Sequence, residues 1–317
     1  MPGKLMRVLI TGGAGFIGSN LARALLRRGD EVVVVDNLSV DGSPARLDDV
    51  LHRIRFCHGD IRHREDLAQL PSGPYDLIFH LAASFANERS LALPAQDLLT
   101  NAQGTLSVLD FARGAGCGLL VYAGSSSSYG AAPLPLREDS LIAPTTPYAL
   151  TKLLGERYVE ASGLPFAVFR LFNVYGPGDP PGPFRNAITN MLRLLGQTDQ
   201  PLQVFGAEAT RDFSFVDDVV AVLLEAHRAR GRVLNVASGI ETPILGLARR
   251  LLALLRQPEA RLQLCPPRPW DTVSRRVADT SALRALFPDA CSTPLDEGLL
   301  RTAHWLRRAG FLPPETP

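Results

Sequence analysis

The stretch Thr11-Gly12-Gly13-Ala14-Gly15-Phe16-Ile17-Gly18 constrains this chain more than any other. It joins an apolar run, Arg7–Thr11, to an amphipathic run, Phe16–Arg28. A GxxGxxG turn between a strand and a helix has a physical use. Without side chains, the backbone can approach a pyrophosphate, and the helix N-terminus offers oriented N–H donors to its charge. The next β-branched run, Glu31–Asp36, ends on an acid followed by Asn37. A carboxylate there accepts from both ribose hydroxyls and repels a 2′-phosphate. This predicts a site for NAD rather than NADP, contacted by Gly12, Gly15, Phe16, Ile17, Gly18, Asp36 and Asn37. Asp60-Ile61, after the third strand, reads either as an adenine contact or as an ordinary loop acid.

Further short apolar runs recur at Ile54–Cys57, Leu77–His80, Leu119–Ala123 and Phe166–Arg170, separated by helix-like stretches near 95–114 and 148–161. Runs apolar throughout suit parallel strands covered on both faces. The alternation predicts an α/β fold, a doubly wound parallel sheet of Rossmann type. Beyond residue 173, proline and glycine crowd Tyr175–Pro183, and helices are expected at Leu245–Leu255 and Leu295–Arg308. The expected division is an NAD-binding domain over 1–173 and a smaller substrate lobe over 174–317. Segments at about 212–238, including Val219–His227 and Val233–Val236, are expected to return to the main sheet.

Composition excludes several classes. Thirty-three basic against 32 acidic residues give a net charge of +1, no general reason to hold nucleic acid or an anionic membrane. The four cysteines form no CxxC pair, as expected for reduced thiols in the cytoplasm and not for a metal site. No apolar run reaches the ~18 residues of a membrane span, and the early first strand leaves no room for a signal peptide.

Tyr148 and Lys152 stand at i and i+4 in Pro147-Tyr148-Ala149-Leu150-Thr151-Lys152, on one helix face. A phenol with a pKa of about 10 is a poor base at neutral pH. A nearby ammonium favours the phenolate, and a shift of about three units asks for about 4 kcal/mol. The fifth strand runs into Ser125-Ser126-Ser127-Ser128-Tyr129-Gly130, hydroxyls at the sheet edge where such folds bind ligands. A serine there can hydrogen-bond the oxygen that Tyr148 deprotonates.

With these motifs the chain resembles the extended short-chain dehydrogenase/reductase family, in particular its nucleotide-sugar epimerases and dehydratases. The likeness includes TGGAGFIG (11–18), HLAA (80–83), Asn101 in NAQGT, SSSSYG (125–130), PYALTK (147–152), RLFNVYGPG (170–178), RDFSFVDDV (211–219) and NVASG (235–239). The resemblance implies an NAD enzyme that oxidises a nucleotide-diphosphate sugar at C4, usually as a homodimer. It implies Tyr148 as base, Lys152 as its partner and ribose anchor, and Ser125 as the hydroxyl partner. Leu81, Ala82, Ala83 and Asn101 are implied at the cofactor. Ser126, Asn173, Arg211, and the pair Arg268 and Asp271 of RPWD are implied at the substrate.

The departures bear on the reaction. Dehydratases of that family carry an acid and a base in the two places after the catalytic hydroxyl, and nucleotide-glucuronate decarboxylases a Glu in the second. Here stand Ser126 and Ser127, which cannot act as general bases near neutral pH unaided. Gly124 replaces a usual Ser, and Trp270 the Gly of RxGD. Neither His80 nor Glu88 is placed by the sequence to substitute for the missing pair. The expectation is a 4-epimerase working by transient C4 oxidation. The alternatives are a 4,6-dehydratase, a decarboxylase, a 4-ketosugar reductase or, from another class, a non-catalytic dinucleotide sensor.

Overall fold

The computed structural model describes residues 5–39, 46–268 and 271–314. The strands in chain order begin with β1 (Arg7–Thr11), β2 (Glu31–Asp36), β3 (Arg55–His58), β4 (Leu77–His80), β5 (Leu120–Ser125) and β6 (Phe166–Leu171). Six follow: β7 (Asn173–Tyr175), β8 (Leu202–Phe205), β9 (Thr210–Phe215), β10 (Val233–Val236), β11 (Glu241–Pro243) and β12 (Leu262–Cys265). The helices are α1 (Phe16–Arg28), α2 (Arg64–Ala68), α3 (Asn87–Ala92), α4 (Pro94–Asp97), α5 (Gly104–Gly114) and α6 (Pro147–Ala161). After them come α7 (Ala187–Gln197), α8 (Val216–Leu224), α9 (Ile244–Leu254), α10 (Ser281–Leu286) and α11 (Leu295–Arg308).

The expected doubly wound sheet is present. Seven parallel strands lie in the order β10-β6-β5-β4-β1-β2-β3, reversing direction of travel at β1 and β4. The apolar runs have their reason in burial on both faces. Leu9, Val33, Val35, Ile78 and Val168 enter one core cluster with Ile61 and Val108. Their neighbours Val8, Ile10, Val32 and Val34 are buried as well, as are Leu21 and Leu25 of α1.

Chain contacts divide the protein into two compact units. One holds Met1–Ser128, Pro144–Leu171 and Val220–Leu234; the other holds Tyr129–Ala143, Phe172–Val219 and Asn235–Pro317. The second is built on the sheets β11-β9-β7 and β12-β8. Its core gathers Ile188, Leu192 and Leu195 of α7 with Leu247 and Leu251 of α9 and Leu299, Ala303 and Leu306 of α11.

Two expectations need correction. The helix near 95–114 is three pieces, because a wider π-helical turn at Leu98–Gln103 separates α4 from α5. Val219–His227 is helical, being α8 and a short turn, and of the two segments only Val233–Val236 is a strand of the main sheet. A short β-branched run leaves strand and buried helix equally open.

Candidate active site

The glycine turn follows β1 directly. Gly12 N–H donates to the Val35 carbonyl (2.8 Å), tying the turn to β2. Helix α1 follows its N-cap Gly15 with no side-chain cap and no acid in its first turn, so no carboxylate of its own first turn competes for its N–H groups. A Cβ on Gly18 would stand 2.3 Å from the Gly12 carbonyl oxygen and 2.7 Å from Gly13 Cα. Only a residue without a side chain lets the helix start this close to the turn. Phe16 and Ile17 are half-buried on its first turn.

Asp36 closes β2. One carboxylate oxygen accepts from Ala14 N–H (3.0 Å) and the other from Leu38 N–H (2.8 Å), leaving acceptor capacity on each. Burial pushes this carboxyl above its ordinary range, against those two N–H donors and the Arg46 charge.

Asp60 has a different surrounding from the one its position suggested. Burial acts to raise its carboxyl, yet hydrogen bonds from Arg62 and Asn37 outweigh it and hold the group at about 2. The Arg62 guanidinium grips both oxygens, at 2.6–3.0 Å, and Asn37 donates at 2.8 Å. With Arg62 N–H also bonded (2.9 Å), the acceptor capacity of Asp60 is filled. Its carboxylate braces Asn37 and Arg62. Ile61 is a core side chain.

The segment after β4 lies against the glycine turn. Leu81 N–H donates to the Thr11 carbonyl (3.1 Å) and Ala82 N–H to the Thr11 hydroxyl (3.3 Å), with half-buried Ala83 next. Ser84 then meets Asn101 twice: its N–H donates to Asn101 Oδ1 (2.8 Å), and its carbonyl accepts from Asn101 Nδ2 (3.0 Å). The same Nδ2 donates to the Thr151 hydroxyl on α6 (3.1 Å). Both amide hydrogens are thus spent inside the protein. Fully buried, Asn101 holds the β4 loop to α6 and has no side-chain donor left for a cofactor.

Ser125 ends β5, buried, with its Oγ accepting from Ser127 N–H (3.2 Å). Ser126 and Ser127 form the following turn and are buried too. Tyr148 sits half-buried on the first turn of α6. Thr146 caps that helix, accepting from Ala149 N–H (3.2 Å) and donating to Asn87 Oδ1 (2.6 Å). Lys152, one turn on, is buried with its Nζ 4.3 Å from the centre of the Tyr122 ring, a cation–π contact. Burial pushes its ammonium down to about 7, and Glu156 pulls it back up. A Cβ at Gly155 would stand 2.3 Å from Tyr122 Oη and 2.7 Å from the Asn101 carbonyl oxygen. That missing methyl lets α6 lie against β5 and the π-helical turn together.

His80 is no candidate base. Thr105 donates its hydroxyl to the Asn101 carbonyl (2.7 Å), so it accepts from His80 Nε2–H (3.0 Å), while Nδ1 accepts from Thr11 (2.8 Å). Burial, with Lys152 adding to it, holds the imidazole neutral, its pKa down at about 3. Glu88 lies exposed on the first turn of α3.

In the second unit, Asn173 Nδ2 donates to the Asp212 carbonyl (3.2 Å). Arg268 and Asp271 of the RPWD motif have different side-chain neighbours. Asp271 accepts from Arg211 Nη2 (2.5 Å), and the Arg268 guanidinium lies over the Phe205 ring at 4.6 Å. Trp270 lies outside the described residues. Among the described residues there is no metal-holding group of three or more His, Cys, Asp or Glu, and no helix is long and apolar enough to cross a membrane.

Residues 8–237 match the NAD dependent epimerase/dehydratase family. The chain belongs to that family. It is 34% identical to a UDP-glucose 4-epimerase of Mycolicibacterium smegmatis, over 95% of this chain and 99% of that one. It is 29% identical to a UDP-N-acetyl-alpha-D-glucosaminuronate decarboxylase of Bacillus cytotoxicus, over 95% and 98%. It is also similar to the dTDP-glucose 4,6-dehydratase of Streptomyces venezuelae solved with NAD, with a TM-score of 0.88 and 31% identity over 98% and 99% of the two chains. This member of the family is an NAD-dependent enzyme of the epimerase/dehydratase type, and three reaction outcomes occur among these relatives alone. Its first unit fits NAD: a cradle that a Cβ at Gly18 would fill, an uncapped helix start, and a carboxylate with spare acceptors at Asp36.

Proposed function

We propose that this protein is a nucleotide-sugar 4-epimerase, acting on a nucleotide-diphosphate sugar in the cytoplasm. The observation that carries the choice is the Ser125-Ser126-Ser127 run, serines in both places where elimination or decarboxylation calls for an acid and a base. Buried Glu156 is paired with Arg170 (2.6 Å), and buried Asp97 accepts from Ser84 through one oxygen (2.5 Å), its Oδ2 having no hydrogen bond.

The glycine turn, Asp36, Asn37 and the Leu81–Ala83 segment hold NAD, which supplies the hydride acceptor and donor for C4. Tyr148 takes the proton of the C4 hydroxyl. Lys152 stabilises the phenolate that accepts this proton, leaving Tyr148 a neutral phenol, and would anchor the nicotinamide ribose. Ser125 Oγ hydrogen-bonds the same sugar oxygen and keeps it aimed at Tyr148, a general-base arrangement worth about 10²–10⁴ in rate. Asn173, Arg211, Arg268 and Asp271 hold the nucleotide diphosphate, for which a guanidinium offers geometry as well as charge. When the sugar turns its other face, Tyr148 returns the proton.

A panel of nucleotide sugars, with product mass and stereochemistry as readout in deuterated water, tests this. The expected product is a C4 epimer of unchanged mass carrying no carbon-bound deuterium. A product lighter by water or carbon dioxide, or deuterium at C5, overturns the reading.

For the cofactor, NAD is expected to bind at least about tenfold more tightly than NADP, and Asp36→Ala to narrow that gap, since the 2′-phosphate meets the Asp36 carboxylate. Equal affinity in the unmodified protein would contradict this.

We further propose a homodimer, supported by an apolar stripe on the first unit. Leu150 and Leu154 lie on the outer face of α6, with Leu98, Leu99 and Leu106 exposed on the π-helical turn and α5. Leu150 is 53% exposed and Leu98 51%, large leucines that a second copy would cover. Light scattering is expected to give twice the chain mass, and Leu150→Glu with Leu154→Glu to halve it.

A further inference from the structure

Beneath the Tyr148–Lys152 helix turn lies an ion pair that the proposed reaction does not use. Glu156 is fully buried, and Arg170 on β6 is 2% exposed. Arg170 Nη2 donates to Glu156 Oε1 (2.6 Å) and Nε to Oε2 (3.1 Å), a two-pronged grip that fixes the carboxylate. A Cβ on Gly124 would stand 3.3 Å from both Glu156 Oε2 and Arg170 Cγ. The pair therefore lies under the end of β5, just before Ser125.

Stability alone is a weak reason for such a pair. Burying two charges costs several kcal/mol per ion before their attraction is counted, and apolar replacements are often as stable. Its placement offers another reason. Glu156 follows Lys152 by one helical turn on the same face. Among the described residues, the other groups around Lys152 are Tyr122 from β5 and His80 from β4, with Tyr148 one turn earlier on α6 itself. His80 is neutral, and burial raises Tyr122 well above the ordinary phenol range, so it stays protonated. Until Tyr148 ionises, Glu156 is the anion in this set. Arg170 touches Glu156 from the β6 side and holds it in place.

We propose that Glu156 is a positioning residue that, gripped by Arg170, keeps Lys152 charged so that Lys152 can stabilise the Tyr148 phenolate. This rests on the reading of Tyr148 and Lys152 given above. Burial lowers the Lys152 ammonium, and Glu156 is the group that opposes it. Without Glu156 the lysine releases its proton at lower pH, and the phenolate loses its cation.

The sign separates this role from a direct one. Removing a negative charge near a phenol would by itself ease ionisation. Acting through Lys152, the same removal hinders it. The test follows phenolate absorbance of the NAD-loaded protein against pH, with Tyr148→Phe subtracted to isolate Tyr148. In Glu156→Gln, Tyr148 is expected to ionise at least about one pH unit higher, a tenfold change. In a Lys152→Met background, Glu156→Gln is expected to add no upward shift. A double variant, Glu156→Gln with Arg170→Met, removes both charges, guards against a folding failure, and is expected to show a smaller upward shift, since the Arg170 charge leaves with that of Glu156. Glu156→Asp keeps the charge and is expected to restore most of the unmodified profile. An unchanged or lower Tyr148 titration in the Gln variants, or the same upward shift without Lys152, overturns the inference. If Lys152→Met itself leaves the Tyr148 titration unmoved, the reading of the pair has failed instead.

Discussion

Tyr148→Phe is expected to lower kcat by about 10²–10⁴ while leaving the fold and NAD affinity unchanged. The physical grounds are narrow. Phenylalanine keeps the ring on the first turn of α6 and removes only the oxygen that takes the C4 proton. The helix start does not depend on that oxygen, since Thr146 caps it and Asn87 holds Thr146. His80 cannot take over as base, being neutral with both ring nitrogens bonded to threonines. Turnover on the nucleotide sugar identified by the panel, with NAD binding measured alongside, checks the expectation. Near-normal kcat would remove Tyr148 from the reaction. Lys152→Met is expected to move the acid limb of the rate profile to higher pH, because the phenolate loses its cationic neighbour.

Gly18→Ala is expected to weaken NAD binding by about 100-fold, roughly 3 kcal/mol. The added methyl would stand 2.3 Å from the Gly12 carbonyl oxygen, closer than any real contact, and its other near neighbour is backbone as well. No flexible side chain can yield. The turn must move away from the helix start, and the N–H groups of α1 lose their aim at the pyrophosphate. Isothermal titration with NAD gives the affinity, and a thermal melt separates lost binding from lost folding. An affinity within threefold of the unmodified protein would show that the turn does not hold the cofactor.

Local pattern made much of the first unit legible. Short apolar runs between amphipathic ones predicted the parallel sheet, and β1, β2, β4, α1 and α11 begin and end as read. The periods of strand and helix, and a glycine turn with a fixed job, are properties of neighbouring residues. The π-helical turn escaped because its residues carry the same apolar spacing as a regular helix. Its partners, Ser84 and Thr151, come from other parts of the chain.

The sequence by itself determined the glycine turn, the acid closing β2, and Tyr148 and Lys152 on one helix face, since each depends on spacing along the chain. Tertiary structure decided what surrounds them. Asn101 has its amide spent on Ser84 and Thr151, and Asp60 belongs to Arg62 and Asn37. Asp271 pairs with Arg211, and Lys152 lies over the Tyr122 ring with its ammonium drawn down to about 7 by burial. The reason is physical. A polar side chain's partners and its exclusion from water are sums over segments distant in the chain, and they set its charge and its free hydrogen bonds.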